Sequence, residues 1–250
     1  MQIVGDNKLF DAGRADLKSG PTTLHELFQK QPAEYLSPNK TLFLEGDEAL
    51  HVFEILDGAL RIFKIISDGR RVITGFLYPG DFVGISLSNR YLYGAEAICG
   101  TTVRRLSRRQ LDAAANKSQR LRPAISHVVA DEMAAAQDQM VLLSCKNAEE
   151  RFCSFLLKFM RRNALPGEQV LSIELPMCRQ DIADYLGMTI ETVSRTVTKL
   201  IGRGAVRIED ATVRHTITIL KPLLLAQLAG DGDECDVVPL ELRRMSAGCH

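Results

Sequence analysis

The chain has 250 residues, 46% of them hydrophobic and 25% charged, with 31 Lys plus Arg balancing 31 Asp plus Glu. That length can bury one large core or two ordinary ones, and the charge balance excludes a global basic field, which weakens a nucleic-acid reading without excluding one that uses a small basic face. The longest apolar runs, such as residues 223–229, are too short to cross a bilayer; no basic N-terminal stretch precedes a long apolar segment, and six scattered cysteines without a CxxC spacing suggest reduced thiols rather than zinc or disulfides.

Residues 1–22 are polar and lack sustained periodicity, which predicts an arm. A short helix is expected over residues 24–30, with Thr22 or Thr23 as its N-cap. Between residues 33 and 106 the texture changes to short β-branched and apolar runs, with glycines at 46, 58, 69 and 80. Asp57-Gly58 and Asp68-Gly69 are hairpin signals, because glycine accepts the positive φ of a tight turn. Leu60 and Ile62 alternate with Ala59 and Arg61, so these strands read as half-buried. Many short strands at this spacing predict a jelly roll, here a β-roll over residues 23–120.

Leu121 to Ser144 reads as one long helix with Pro123 near its start, where a missing N–H costs little. Val129, Met133, Ala136, Met140 and Leu143 step by four, three, four and three, a heptad seam. Ile125, Val128, Ala135 and Leu142 widen that face. Two uses fit: packing on its own β domain, or serving that core and a two-fold partner together. The second makes residues 121–145 a dimerisation helix. Asn147 and Glu150 have capping-box spacing and open a helix that buries Phe152, Phe155, Leu156 and Phe159 and ends near Asn163. A loop through Leu165-Pro166-Gly167 and a short strand, LSIEL, follow.

RQDIADYLGMTIETVSRTVTKLIGRGAV (179–206) has the internal spacing of a helix-turn-helix. Ile182 and Leu186 point inward, Ala183 admits a second helix, and Gly187 supplies the turn. Thr189 caps the second helix, which buries Val193, Val197 and Leu200. Glu191, Ser194 and Arg195 stand at i, i+3 and i+4 beside that stripe, on one exposed face. Such a face reads base edges in a major groove: Arg donates twice to guanine, Glu accepts from cytosine N4, and Ser bonds either. VRIEDATVRHTITIL then reads as a two-stranded wing around Glu209-Asp210. Arg179, Arg195, Lys199, Arg203, Arg207, Arg214 and Lys221 are expected to rim the face for phosphates. These pieces form a winged helix-turn-helix over residues 146–228, leaving 229–250 as a tail of unreadable function.

A glycine-punctuated β-roll, a seam helix and a C-terminal winged helix-turn-helix together resemble the Crp/Fnr superfamily of bacterial regulators, over about residues 28–225. PGDFVG (79–84), the seam helix and residues 179–200 carry the resemblance, and Glu191-x-x-Ser194-Arg195 matches the signature of its Fnr and FixK branches. The cyclic-AMP branch has an arginine before that glutamate and a glycine for the serine, where this chain has Ile190 and Ser194. The resemblance implies an α+β cytoplasmic homodimer that binds TTGAT-type palindromes, recruits RNA polymerase and acts mainly as an activator, on genes of low-oxygen respiration or nitrogen fixation. Its DNA-binding set is expected to be Ile190, Glu191, Thr192, Ser194 and Arg195, with Arg179, Thr189 and Lys199 beside them.

Departures from the relatives bear on sensing. Nucleotide-binding members carry a glutamate just after the GDF-x-G turn and a later Arg-Ser or Arg-Thr pair; here Ile85, Ser86 and Leu87 follow the turn, and Tyr91-Leu92 stand at the pair, with Arg90 one place early. Cyclic nucleotide is therefore not expected. The first cysteine is Cys99, so the N-terminal ligands of an Fnr-type iron–sulfur cluster are missing, and His25, His51 and His127 form no obvious haem site. No cofactor is expected. Cys178 sits at a helix N-terminus beside Arg179, a setting that raises thiol reactivity when the sulfur is accessible; its oxidation is expected to add negative charge beside DNA. Arg104, Arg105, Arg108 and Arg109 are expected to be solvated rather than to meet polymerase. Catalysis is not expected: GxSxG, Walker A, HExxH and a clustered His/Glu metal set are all missing. The alternative is a ligand-gated module of the same fold that acts through protein contacts.

Overall fold

The computed structural model describes residues 23–86, 88–163, 172–208 and 216–230. The arm at 1–22, the Leu165-Pro166-Gly167 loop, the Glu209-Asp210 turn with Arg214, and residues 231–250 lie outside the described residues.

Thr23 caps helix α1 (Leu24–Phe28), its hydroxyl accepting from the Glu26 N–H at 3.2 Å. Eight strands follow: β1 (Ala33–Leu36), β2 (Thr41–Phe43), β3 (His51–Asp57), β4 (Leu60–Ile65), β5 (Arg71–Leu77), β6 (Phe82–Val83), β7 (Gly94–Ala97) and β8 (Thr101–Ser107). They form two four-stranded antiparallel sheets, ordered β1-β8-β3-β6 and β2-β7-β4-β5. Phe43, Phe53, Ile55, Leu60, Ile62 and Val103 fill the space between them. Gly58 turns β3 into β4 at φ +83°, and a Cβ there would lie 2.4 Å from the Gly100 carbonyl oxygen. Only glycine fits that turn.

Ser107 and Gln110 make a reciprocal capping box that opens α2 (Arg108–Lys117). Below the roll, Leu24, Phe28, Val52, Leu106, Leu111 and Leu121 join α1 and α2 to the foot of the long helix α3 (Leu121–Cys145). Asn147 then caps α4 (Ala148–Asn163), accepting from the backbone N–H groups of Glu149 and Glu150 while Glu150 accepts from the Asn147 N–H at 2.8 Å. Strand β9 (Ser172–Glu174), helices α5 (Arg179–Leu186) and α6 (Ile190–Gly202), strands β10 (Val206–Ile208) and β11 (Thr216–Ile219), and α7 (Pro222–Leu228) complete the second unit. Its three-stranded sheet runs β10-β11-β9, so the two wing strands pair as the pattern VRI…TITI suggests.

One expectation is corrected here. Residues 59–62 are not half-buried: Ala59 and Arg61 are buried as well as Leu60 and Ile62, Arg61 only 6% exposed, and Phe63 and Ile73 share one apolar cluster with Phe155, Tyr185 and Leu186 of the second unit. The outer face of that hairpin is the floor on which the helix-turn-helix sits. Alternation reports one covered face; a second domain covered the other.

Candidate nucleic-acid interface and pairing surface

Helix α5 ends because Gly187 takes the left-handed conformation, φ 62°, ψ 42°. The chain then turns into α6, where the Thr189 hydroxyl accepts from the Thr192 N–H at 3.3 Å and lies 3.1 Å from the Thr192 hydroxyl. Val193, Val197 and Leu200 are buried against Ile182, Ala183 and Leu186, which fixes how α6 rolls about its axis. That roll leaves Ile190, Glu191 and Arg195 exposed, with Thr192 and Ser194 half-buried beside them. Arg195 makes no ion pair among the described residues. Glu191 is fully ionised at neutral pH: its own N–H at the helix start, then the Thr189 hydroxyl and the Arg195 charge, hold its carboxyl below the usual range. The face thus presents a free guanidinium, a carboxylate acceptor and a hydroxyl. With 13 residues, α6 is about 20 Å long, enough to lie along a major groove.

The basic rim is placed less simply. Lys199 and Arg203 share one carboxylate, Glu149 in the first turn of α4, so one of their two charges is offset within the protein. A phosphate would have to compete with that carboxylate. Arg179 is half-buried and Arg207 is exposed. Cys178 is the N-cap of α5, exposed, and its side chain makes no capping hydrogen bond. Two arginines expected to be solvated are paired on the roll instead: Arg104 faces buried Glu54 at 3.5 Å, and Arg105 meets Glu34 at 3.0 Å. Arg108 donates to the Ser88 carbonyl. Cross-strand neighbours supply these partners, which a linear pattern does not reveal.

Helix α3 serves two surfaces. Ile125 and Val128 pack on the foot of the roll, and Leu142 packs against the second unit. Gln139 is buried and donates to the Tyr185 carbonyl at 2.6 Å, tying α3 to α5. The seam lies on another side. Met133 is 61% and Met140 62% exposed, Ala136 is exposed between them, and Val129 and Leu143 are half-buried at the ends. Ala135, assigned to the widened face, is also exposed.

Between α3 and the roll lies a cavity of about 460 Å³, lined by Gly84, Ile85, Ser86, Tyr91, Tyr93 and Glu132 and edged by seam residues Val129, Met133 and Ala136. Tyr91 stacks on Phe43 at 3.7 Å and donates to the His51 carbonyl at 2.7 Å; Arg90 turns away to the Gly46 carbonyl. Glu132 is hydrogen-bonded to Tyr93, and burial raises its carboxyl above the usual range. A carboxyl raised on folding costs stability above its folded pKa, and that cost disappears as pH falls through the unfolded value. Glu132→Gln is therefore expected to melt at a higher temperature than the wild type at neutral pH. The difference should close on acidification below the ordinary carboxylate range, which thermal melts at a series of pH values will read.

The Thr189 cap and the Gly187 turn stand where the sequence predicts them, and the expected reading face on α6 is open to solvent at Glu191 and Arg195. Sequence reasoning did not single out Glu149, Gln139, Glu132 or the fully buried Asp181, none of which carries a local signature that distinguishes it from a solvated polar residue.

Residues 150–228 match the Crp-like helix-turn-helix domain and residues 33–118 match the cyclic nucleotide-binding domain. The chain is 40% identical over 196 residues to the nitrogen fixation regulation protein FixK of Bradyrhizobium diazoefficiens, covering 78% of this chain and 81% of that one. It is 40% identical over 178 residues to the transcriptional activatory protein AadR of Rhodopseudomonas palustris, covering 70% and 74%. The solved structure of FixK2 from Bradyrhizobium japonicum superposes with a TM-score of 0.74 at 34% identity, covering 79% of this chain and 96% of that one.

Proposed function

This chain belongs to the Crp/Fnr family, as a DNA-binding transcription regulator related to FixK, and from that premise we propose that two copies pair along α3 and read a palindrome of TTGAT-type half-sites with their α6 helices. The exposed Glu191–Ser194–Arg195 face carries the proposal, because the opposite stripe of the same helix is fully committed to the core. Two such faces bind half-sites about one helical turn, roughly 34 Å, apart. Met133, Ala136 and Met140, exposed in a row, are the surface that pairing would cover. As a DNA-bound dimer it recruits RNA polymerase as an activator of nitrogen-fixation or low-oxygen respiratory genes; the relatives' names, a nitrogen fixation regulation protein and a transcriptional activatory protein, support activation and the first of these gene classes.

The reading includes no cyclic nucleotide as signal. Among the described lining residues the cavity offers Glu132 and no cation, so a phosphodiester would enter without a counter-charge. Titration of a labelled TTGAT–N4–ATCAA duplex tests the whole reading: tight binding that is lost when either half-site is scrambled is expected, unaltered by cyclic AMP. Equal affinity for the scrambled duplex overturns it.

Oxidation at Cys178 is the regulation assigned to this interface. Its exposed sulfur lies at the start of α5, and conversion to a sulfinic or sulfonic acid adds negative charge beside the DNA backbone. Peroxide should weaken operator binding by the wild type and leave Cys178→Ala unaffected; equal loss in both sinks the assignment.

A further inference from the structure

The floor beneath the helix-turn-helix is held by charges as well as by apolar contact. Asp181, in the first turn of α5, is 1% exposed, and its two carboxylate oxygens are taken by two arginines of the β4–β5 hairpin. Arg61 donates to Asp181 Oδ2 at 3.0 Å and Arg71 to Oδ1 at 2.7 Å. Arg71 also spans to Asp184, one turn along α5, through Nε at 3.1 Å and Nη2 at 2.9 Å. Arg61 is itself fixed by Glu96 at 2.9 Å and by the Asn39 side chain at 2.9 Å. Gln180 donates to the remaining Asp184 oxygen at 2.7 Å.

Such a cluster contributes little net stability, because desolvating the charges offsets most of their attraction. Its consequence is geometric. The apolar contacts alongside it, Phe76 on Tyr185 and Phe155, tolerate sliding. Paired guanidinium–carboxylate contacts do not, since a displacement of about 1 Å takes them outside hydrogen-bonding distance. Asp181 and Asp184 lie on α5, the helix that packs against α6, so whatever orients one orients the other.

We infer that the β4–β5 hairpin is a clamp that aims the reading helix: Arg61 and Arg71, on the roll and outside the DNA-contacting set, are positioning residues for operator recognition through Asp181 and Asp184. The inference rests on the palindromic reading above and adds the part of the roll that sets the angle between the two α6 helices. One base pair more or less between half-sites displaces them by about 3.4 Å and about 34°. Rigidly aimed heads therefore discriminate sharply between operator spacings, and loosened heads do not.

The test uses full-length protein and duplexes whose half-sites are separated by three, four or five base pairs, at a temperature well below the melting of every variant. Arg71→Ala is the primary variant, because Asp181 keeps Arg61 and no buried carboxylate is left alone; Asp184→Asn is the second, should the first fold poorly. The wild type should prefer one spacing. Both variants should narrow that preference by about threefold or more, the size of coupling within one ion-pair network, and the double variant should narrow it no further than the single ones. A purely structural role would lower melting temperature and all affinities together and leave the spacing ratio unchanged, which overturns the clamp. If the wild type ignores half-sites altogether, the operator reading fails first and the clamp falls with it; if it prefers one spacing and the variants share that preference undiminished, only the clamp fails.

Discussion

Arg195→Ala is expected to cost operator binding about 1–3 kcal/mol, and to do so at one base pair. The guanidinium is exposed on the face of α6 that carries Glu191, and no carboxylate among the described residues holds it in an ion pair. It is thus available to donate to O6 and N7 of a guanine, a contact that the other bases do not reproduce. Competition binding against a set of operators substituted at each position should show tolerance at a single base, with discrimination elsewhere retained. Uniform weakening at every position would mean that Arg195 meets phosphate instead. Thr189 and the buried stripe of α6 are untouched by the substitution, so stability should stay close to wild type.

Met140→Glu is expected to break the pairing proposed along α3. Met140 is 62% exposed in the single chain, and with Met133 seven residues earlier it lies on the heptad seam. Covering a methionine side chain contributes about 1.5–3 kcal/mol, and two-fold pairing covers each residue twice. The substitution removes that gain and places two carboxylates near one axis, a further cost of several kcal/mol. The dissociation constant should rise by about 100-fold or more, since each 1.4 kcal/mol is a factor of ten. Sedimentation equilibrium will read it directly, and operator affinity should fall in parallel. A variant that stays dimeric at the same concentrations would place the pairing surface elsewhere.

How far each element could be read in advance follows the range of the interaction that defines it. Thr23, Asn147 and Thr189 cap helices within three residues of themselves, and Gly58 and Gly187 mark turns by their own φ. The seam on α3 is a periodicity within one helix. All of these were legible. Lys199 was not, because its partner Glu149 is 50 residues away, and nothing within α6 signals that it already has an acidic partner. Arg61 was misread as the solvated side of a strand for the same reason: Asp181 lies 120 residues further on.

Amino-acid order alone therefore determined the β-roll, the long helix, the helix-turn-helix and the exposed row of side chains on its second helix, since each depends on caps, turns and periodicities that span a few residues. Tertiary structure decided which charges are available and which are consumed. Asp181 and Glu191 are both acids in the first turn of adjacent helices; one is sealed between two arginines and the other lies open to solvent. That difference arises from where the second unit docks on the roll, because a charge's role is set by partners that folding brings within 3 Å and not by its neighbours along the chain.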